Sequence, residues 1–303
     1  MNSRELLIIG GGICGMTAAI YAARAKLDVA IIEKHVCGGL VNWTHTVENM
    51  PSYTSIHGLE LMEKCRGHVE SLNVPIHEVE LVERVDFSGN MKTLTTTEGI
   101  YQAKAVIIAT GRYPVPLPVE TDFEKVHYCS VCDGTAYAGK DVLVIGGGNS
   151  GFDESLYLTA LGVNSVHIVE MMPMCVAAES TQEKARQSGK IHVSTSLRLT
   201  SVEPTPDGQA LVQLTHTKSG EVSEEKVDGI FCFMGQIPNT KVFLGAVDME
   251  NGYVRTDADM HTSAHGVFAA GDVIVKKYRQ ITTAMSDGTI AALEADKYIR
   301  AFQ

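Results

Sequence analysis

The sequence has no cluster of lysine or arginine, and 25 basic against 36 acidic side chains leave a formal charge of -11 over 303 residues. Nucleic-acid binding draws most of its affinity from neutralised phosphates, so this balance excludes a nucleic-acid surface and points to small molecules or proteins as partners. No membrane segment is expected either. The apolar stretch from Leu6 to Ala23 is interrupted by Gly10, Gly11, Gly12 and Gly15, and no small-residue cleavage pattern follows it. It reads as a buried strand and helix, not as a signal or an anchor. A disulfide framework is missing as well: Cys14, Cys37, Cys65, Cys129, Cys132, Cys175 and Cys232 are odd in number and scattered except for one pair. Without a secretory signal the chain is expected in the cytoplasm, where thiols are kept reduced. The one close pair, Cys129-Ser130-Val131-Cys132, therefore asks for a chemical explanation. Zinc would want two further ligands, and although His127 is near, no second C-x-x-C or spaced His pair follows. Asp133, directly after the pair, supplies the proton donor that thiol chemistry needs, so the stretch reads as a redox centre.

What is present besides is a duplicated nucleotide motif. Leu6 to Ile9 is a short apolar run of the kind a buried parallel strand shows, and it feeds into Gly10-x-Gly12-x-x-Gly15 and a helical stretch to about Arg24. A second apolar run, Val29 to Ile32, ends at Glu33, 23 residues past Gly10. Glycines permit the tight turn and the approach of a pyrophosphate, the helix N-terminus offers unpaired N–H groups, and the acid accepts from ribose hydroxyls. The whole unit recurs: Val142 to Ile145, then Gly146-x-Gly148-x-x-Gly151, a helix to about Leu161, and a strand Val166 to Val169 ending at Glu170. Duplication of strand, turn, helix and acid together is a much stronger signal than one glycine motif.

Between and after these units, a helix is expected from Gly58 to about Leu72, antiparallel strands over Ile76–Phe87 and Lys92–Thr97, and a buried strand over Ala105–Ala109. Three prolines in Arg112 to Pro118 mark a linker and a domain boundary. Further strands are expected over Ile191–Val202, Ala210–Thr217 and Gly229–Gly235. The tail returns to the first domain with a buried strand ending at Gly271-Asp272 and a helix from about Thr282 to Phe302. An acid at the carboxyl end of such a strand is placed to bond a cofactor hydroxyl, or else to cap a helix. The fold class is α/β, with two Rossmann-like domains, the second inserted into the first, each with a small antiparallel sheet. The boundaries fall at 1–114, 115–238 and 239–303.

Two dinucleotide folds, a C-x-x-C between them and a terminal Gly-Asp together resemble the low-molecular-weight thioredoxin reductases over nearly the whole chain. Gly10-Gly11-Gly12 with Glu33 is similar to that family's FAD-binding turn, Val47-Glu48-Asn49 to its loop beside the flavin, and Ala109-Thr110-Gly111 to its crossover. Cys129 to Gly134 resembles the redox pair with its acid, and Met234 to Thr240 the return crossover. Gly271-Asp272 and Tyr278-Arg279-Gln280 resemble the final flavin motif. The resemblance implies FAD as cofactor, a homodimer, and thioredoxin or a thioredoxin-like protein as partner. It also implies that Cys132 faces the flavin, that Cys129 attacks the partner's disulfide, and that Asp133 shuttles the proton. The attacking thiol should be exposed and partly thiolate. Since both nucleotide and cysteine pair must meet one flavin, the inserted domain is expected to swing about the crossovers.

One departure bears on the electron donor. The family's NADPH enzymes follow the second fingerprint with a His-Arg-Arg motif, whereas this chain reads Glu170-Met171-Met172, with no arginine before Arg186. An acid repels a 2'-phosphate and accepts from a free 2'-hydroxyl, so NADPH is excluded and NADH expected. Relatives that take electrons from ferredoxin fit the same loss, and the intact Gly146, Gly148 and Gly151 favour the nucleotide. A dithiol oxidase running the same centre backwards, and a flavin-binding sensor, remain as other classes. Met171, Met172 and Met174 and the unpaired cysteines read as packing residues, not as metal ligands.

Overall fold

The computed structural model describes residues 2–44 and 47–301. The chain folds into two compact units, Met1–Tyr113 with Pro238–Gln303, and Pro114–Ile237. The first begins with strand β1 (Asn2–Ile9), helix α1 (Ile13–Arg24), strand β2 (Val29–Ile32) and helix α2 (Gly58–Ser71). Strands β3 (Ile76–His77), β4 (Val82–Asp86), β5 (Lys92–Thr96) and β6 (Gly99–Ile108) follow. The chain then crosses through β7 (Arg112–Pro114) into the second unit. That unit holds β8 (Val126–His127), the short helix α3 (Ser130–Asp133), β9 (Asp141–Ile145), α4 (Asn149–Ala160), β10 (Ser165–Glu170) and α5 (Glu179–Gln187). It closes with β11 (Ile191–Thr195), β12 (Leu197–Pro204), β13 (Ala210–His216), β14 (Val222–Val227) and β15 (Gly229–Cys232). The return runs through β16 (Gln236–Pro238), β17 (Met249–Glu250), β18 (Tyr253–Val254), β19 (Val267–Ala269) and the long helix α6 (Ile281–Arg300). Phe302, the expected end of that helix, lies outside the described residues.

In the first unit β6 organises the sheet, whose order is β3-β2-β1-β6-β5-β4 with β19 also on β6. One edge of β6 pairs in parallel with β1 along its length. The other edge is shared, its first half taken antiparallel by β5 and its second half parallel by β19. The expected strand over Ile76–Phe87 is therefore two strands in different roles: β3 pairs parallel with β2, and β4 pairs antiparallel with β5. In the second unit the parallel sheet, β11-β10-β9-β15-β8, is separate from the antiparallel sheet β12-β13-β14. The expected strand over Ile191–Val202 is broken at Ser196, whose φ of 58 turns the chain from one sheet into the other.

The parallel strands of both sheets explain the continuous apolar runs, because each face is covered. Leu6, Leu7 and Ile8 of β1 are fully buried. In β9, Val142 and Val144 pack among Phe152, Leu158, Val166 and Phe231, while Leu143 and Ile145 pack among Leu199, Val212 and Leu214 of the antiparallel sheet. Burying one such side chain stabilises the fold by about 1.5–3 kcal/mol. Among the described residues no helix is long and apolar enough to cross a membrane.

Candidate active site

The two fingerprint turns repeat one another closely. Gly10 and Gly146 have φ of 109 and 117, and a Cβ on either would sit 2.4 Å from a carbonyl oxygen, that of Ala109 or Phe233. A Cβ on Gly15 or Gly151 would lie 1.9 Å from the carbonyl oxygen of Gly10 or Gly146, so each helix packs on its own turn at a distance only glycine allows. Gly12 and Gly148 are the N-caps of α1 and α4, without a side-chain cap or an acid in the first turn. Nothing lies within 4 Å of a Cβ built on either. These open helix ends can receive a phosphate.

The two acids are duplicated too. Glu33 accepts the N–H of Gly11 at 2.7 Å and of His35 at 2.9 Å, and Glu170 accepts that of Gly147 at 2.7 Å and of Met172 at 2.8 Å. Each carboxylate thus holds its own turn in shape while keeping lone pairs for a ligand. Behind each turn sits a thiol the sequence reading left as packing: a Cβ on Gly11 would meet Cys37 Sγ at 2.2 Å, and one on Gly147 would meet Cys175 Sγ at 2.6 Å. Burial pushes Cys37 up to about 12, and raises Cys175 as well, so both stay thiols.

In the first unit, residues far apart in sequence converge. Thr110 donates to the Asn239 carbonyl at 2.7 Å, and Asn49 donates to the Gln280 side chain at 3.1 Å. Gly111, at φ 59, accepts the Asn239 N–H. Gly271 turns the chain after β19, and Asp272 follows in a 3-10 turn. Asp272 caps no helix; Gln280 is the N-cap of α6, with Thr283 completing a capping box. Asp272 Oδ2 lies 3.6 Å from Arg112 Nε, and burial raises its carboxyl against the pull of Arg112, Lys276 and Arg279. Arg279 lies over the Tyr253 ring at 4.3 Å. Three residues here were missed from sequence. Arg112 reads as linker but faces Asp272, and Lys276 and Asp287 form a 2.6 Å ion pair with side chains 12% and 14% exposed. The available signal was an aspartate one helical turn from buried Ala284 and Ala291 of α6.

In the second unit Cys129 and Cys132 form a disulfide, with Cα atoms 5.4 Å apart. Cys129 is the N-cap of α3, and its sulfur accepts the N–H of Cys132 at 3.0 Å. A thiolate there would keep that donor. The exposure is the reverse of the expectation: Cys129 is buried at 7%, and Cys132 is the exposed member. Ser130, fully buried between them, donates to Glu154 of α4, whose carboxyl is raised by burial. Among the described residues no three His, Cys, Asp or Glu side chains converge as they would around a metal ion.

The model of the pyridine nucleotide-disulphide oxidoreductases matches residues 4–288. The chain belongs to this family. It is an oxidoreductase acting on disulfides. It is 36% identical to the thioredoxin reductase of Bacillus subtilis (strain 168) over 305 residues, 99% of this chain and 96% of the relative. A 34.2 kDa protein in the rubredoxin operon of Clostridium pasteurianum is 38% identical, with 97% of each chain covered. The crystal structure of Lactococcus lactis thioredoxin reductase superposes with a TM-score of 0.89 at 36% identity, covering 98% of this chain and 99% of that one.

The family implies a flavoprotein with FAD, and the residues present fit it. A cleft of about 510 Å³ in the first unit is lined by Gly10, Glu33, Lys34, Val82, Thr110 and Asn239 among others, the size and mixed lining a nucleotide needs. Arg112 Nε, Asp272 Oδ1 and Arg279 Nε are buried without a hydrogen-bond partner, which a bound ligand's polar atoms would satisfy.

Proposed function

We propose that the chain reduces the disulfide of thioredoxin or a thioredoxin-like protein with electrons from NADH, with FAD as bound cofactor and Cys129–Cys132 as the exchanging pair. Residues 1–113 and 238–303 hold FAD, with Gly10, Gly12, Gly15, Glu33, Asn49, Thr110, Gly111, Gly271, Asp272, Arg279 and Gln280 in contact. Residues 114–237 hold NADH at Gly146, Gly148, Gly151 and Glu170. FAD, when bound, supplies the two-electron chemistry that links a hydride donor to a disulfide. The chain's own part is to keep the Cys132 N–H on the Cys129 sulfur, to exchange a proton at the Asp133 carboxylate, and to open Cys129 to its partner, since that sulfur is covered in this structure.

The observation that carries the donor is the match between Glu170 and Glu33. Both hold their turns through two backbone N–H groups, and the negative charge of each repels a 2'-phosphate placed beside it. The first arginine that follows, Arg186, is engaged by Glu179 and Glu183. A ferredoxin donor draws support from the exposed Met171, Met172 and Met174, which put apolar surface beside the second fingerprint. Anaerobic stopped-flow mixing of the yellow protein with NADH, NADPH and reduced ferredoxin separates these. Bleaching by NADH within a turnover time is expected; bleaching by ferredoxin alone would overturn the NADH reading. A homodimer in the cytoplasm completes the proposal, checked by sedimentation and cell fractionation.

A further inference from the structure

Asp133 has an unassigned partner in its own unit. His127, the second residue of β8, is held by pairing of that strand with β15, Val126 opposite Ile230 and His127 opposite Phe231. Its ring tilts against Phe231 with centroids 5.0 Å apart and meets Tyr137 edge-on at 5.3 Å. The two ring nitrogens both face oxygens. Nε2 is hydrogen-bonded to the Tyr137 hydroxyl at 2.6 Å, and Nδ1 lies 3.1 Å from Asp133 Oδ2, close to it but out of hydrogen-bond alignment. The His127 side chain is 17% exposed and that of Asp133 40%, so the imidazole is the shielded member of the pair and the carboxylate the accessible one.

Tyr137 decides which nitrogen carries the proton. Its ring occupies the place a side chain on Gly229 would fill, with Cε1 2.3 Å from a Cβ built there. Burial, reinforced by Asp133 and Asp228, pushes its hydroxyl up to about 12. It therefore keeps its proton and can donate it to Nε2, an arrangement that puts the imidazole hydrogen on Nδ1, facing Asp133. The charged and titratable groups around this ring are Asp133 from α3 and Tyr137 from the turn after it, with Asp228 and Lys140 acting on Tyr137 from beyond. From β15 the ring meets Phe231.

We propose that His127 is a positioning residue for Asp133. Its Nδ1–H aligns on Oδ2 when the carboxylate ionises, fixes it beside the cysteine pair and stabilises it, leaving Oδ1 to exchange protons with sulfur; Tyr137 favours the tautomer that makes this possible. The inference rests on Asp133 being the proton shuttle. In thiol–disulfide exchange the Cys129 thiolate attacks one sulfur of the partner, forming a mixed disulfide and releasing the other as thiolate. That thiolate takes the Asp133 proton. The Cys132 thiol returns a proton to Asp133 and, as thiolate, attacks Cys129 Sγ, closing the Cys129–Cys132 bond and releasing the partner's second sulfur as thiolate. Between these two transfers Asp133 is an anion, the state to which the His127 N–H contributes most.

The test is the pH–rate profile of the reduced holoenzyme reacting with oxidised thioredoxin, in His127→Phe, His127→Asn, Tyr137→Phe and Asp133→Asn. The limb that disappears in Asp133→Asn defines the shuttle. Removing the N–H disfavours the ionised carboxylate, so in His127→Phe this limb moves about one unit to higher pH and the rate falls about tenfold. His127→Asn places an amide N–H near the position of Nδ1 and restores most of both, and Tyr137→Phe moves the limb the same way by less. An unmoved limb in both His127→Phe and Tyr137→Phe, with Asp133→Asn impaired, overturns the positioning role whatever the variants' melting temperatures. An unimpaired Asp133→Asn would instead remove the shuttle reading on which it rests.

Discussion

Glu33→Gln isolates what the fingerprint acid does. In the native chain the two carboxylate oxygens accept the N–H groups of Gly11 and His35, at 2.7 and 2.9 Å. An amide offers one oxygen and one NH2, so one backbone donor must face another donor. A lost hydrogen bond to a charged group costs about 1.5–3 kcal/mol, reduced to about 1–2 kcal/mol where water can compete. If the turn is shaped for FAD by this carboxylate, that cost appears as weaker binding, about 5- to 30-fold in Kd. The assay is flavin fluorescence on titrating apoprotein with FAD, with far-UV circular dichroism confirming that the fold is kept. Glu170→Gln is the internal control, since it breaks the matching bonds to Gly147 and Met172 in the other unit. It should leave FAD affinity within twofold of native and raise the KM for NADH. Equal losses of FAD in both variants, or none in Glu33→Gln, would refute the reasoning.

Two glycines of one motif should fail in different ways. Gly15→Ala puts a methyl 1.9 Å from the Gly10 carbonyl oxygen and should destabilise the first unit by about 3 kcal/mol or more, read as a lower Tm of the apoprotein. Gly12→Ala meets nothing within 4 Å at a φ of -74, so the apoprotein should melt as the native chain does while FAD binding falls at least tenfold. Glu154 gives a pH test. Burial raises its folded-state pKa, so the native state binds the extra proton and stability falls as pH rises from the ordinary glutamate value near 4.3 through the folded value. Glu154→Gln should therefore gain Tm over the native chain at pH 7 and not at pH 4, measured on the oxidised protein; a gain that does not depend on pH would contradict this.

The boundaries legible in sequence were those written in local chemistry. Runs such as Leu6–Ile9 and Val142–Ile145 name their strands because both faces of a parallel sheet are covered, and helix starts follow glycine turns whose needs are met within a few residues. Alternation failed where pairing partners decide the strand. Ile76–Phe87 reads as one strand, yet β3 belongs to β2 and β4 to β5. Ser196, an ordinary residue in a left-handed conformation, breaks another apparent strand with no glycine or proline to announce it.

By itself, then, the sequence determined the α/β class, the duplicated turns with Glu33 and Glu170, and the close cysteine pair that the fold joins as a disulfide, because each is a contiguous motif set by spacing along the chain. Tertiary structure alone decided which cysteine is covered, and it brought Arg112 to Asp272, Lys276 to Asp287 and Asn49 to Gln280. It also set His127 between Asp133 and Tyr137. Such contacts depend on which strands lie side by side and which donors are left without water, and neither quantity is carried by residue order over a short window.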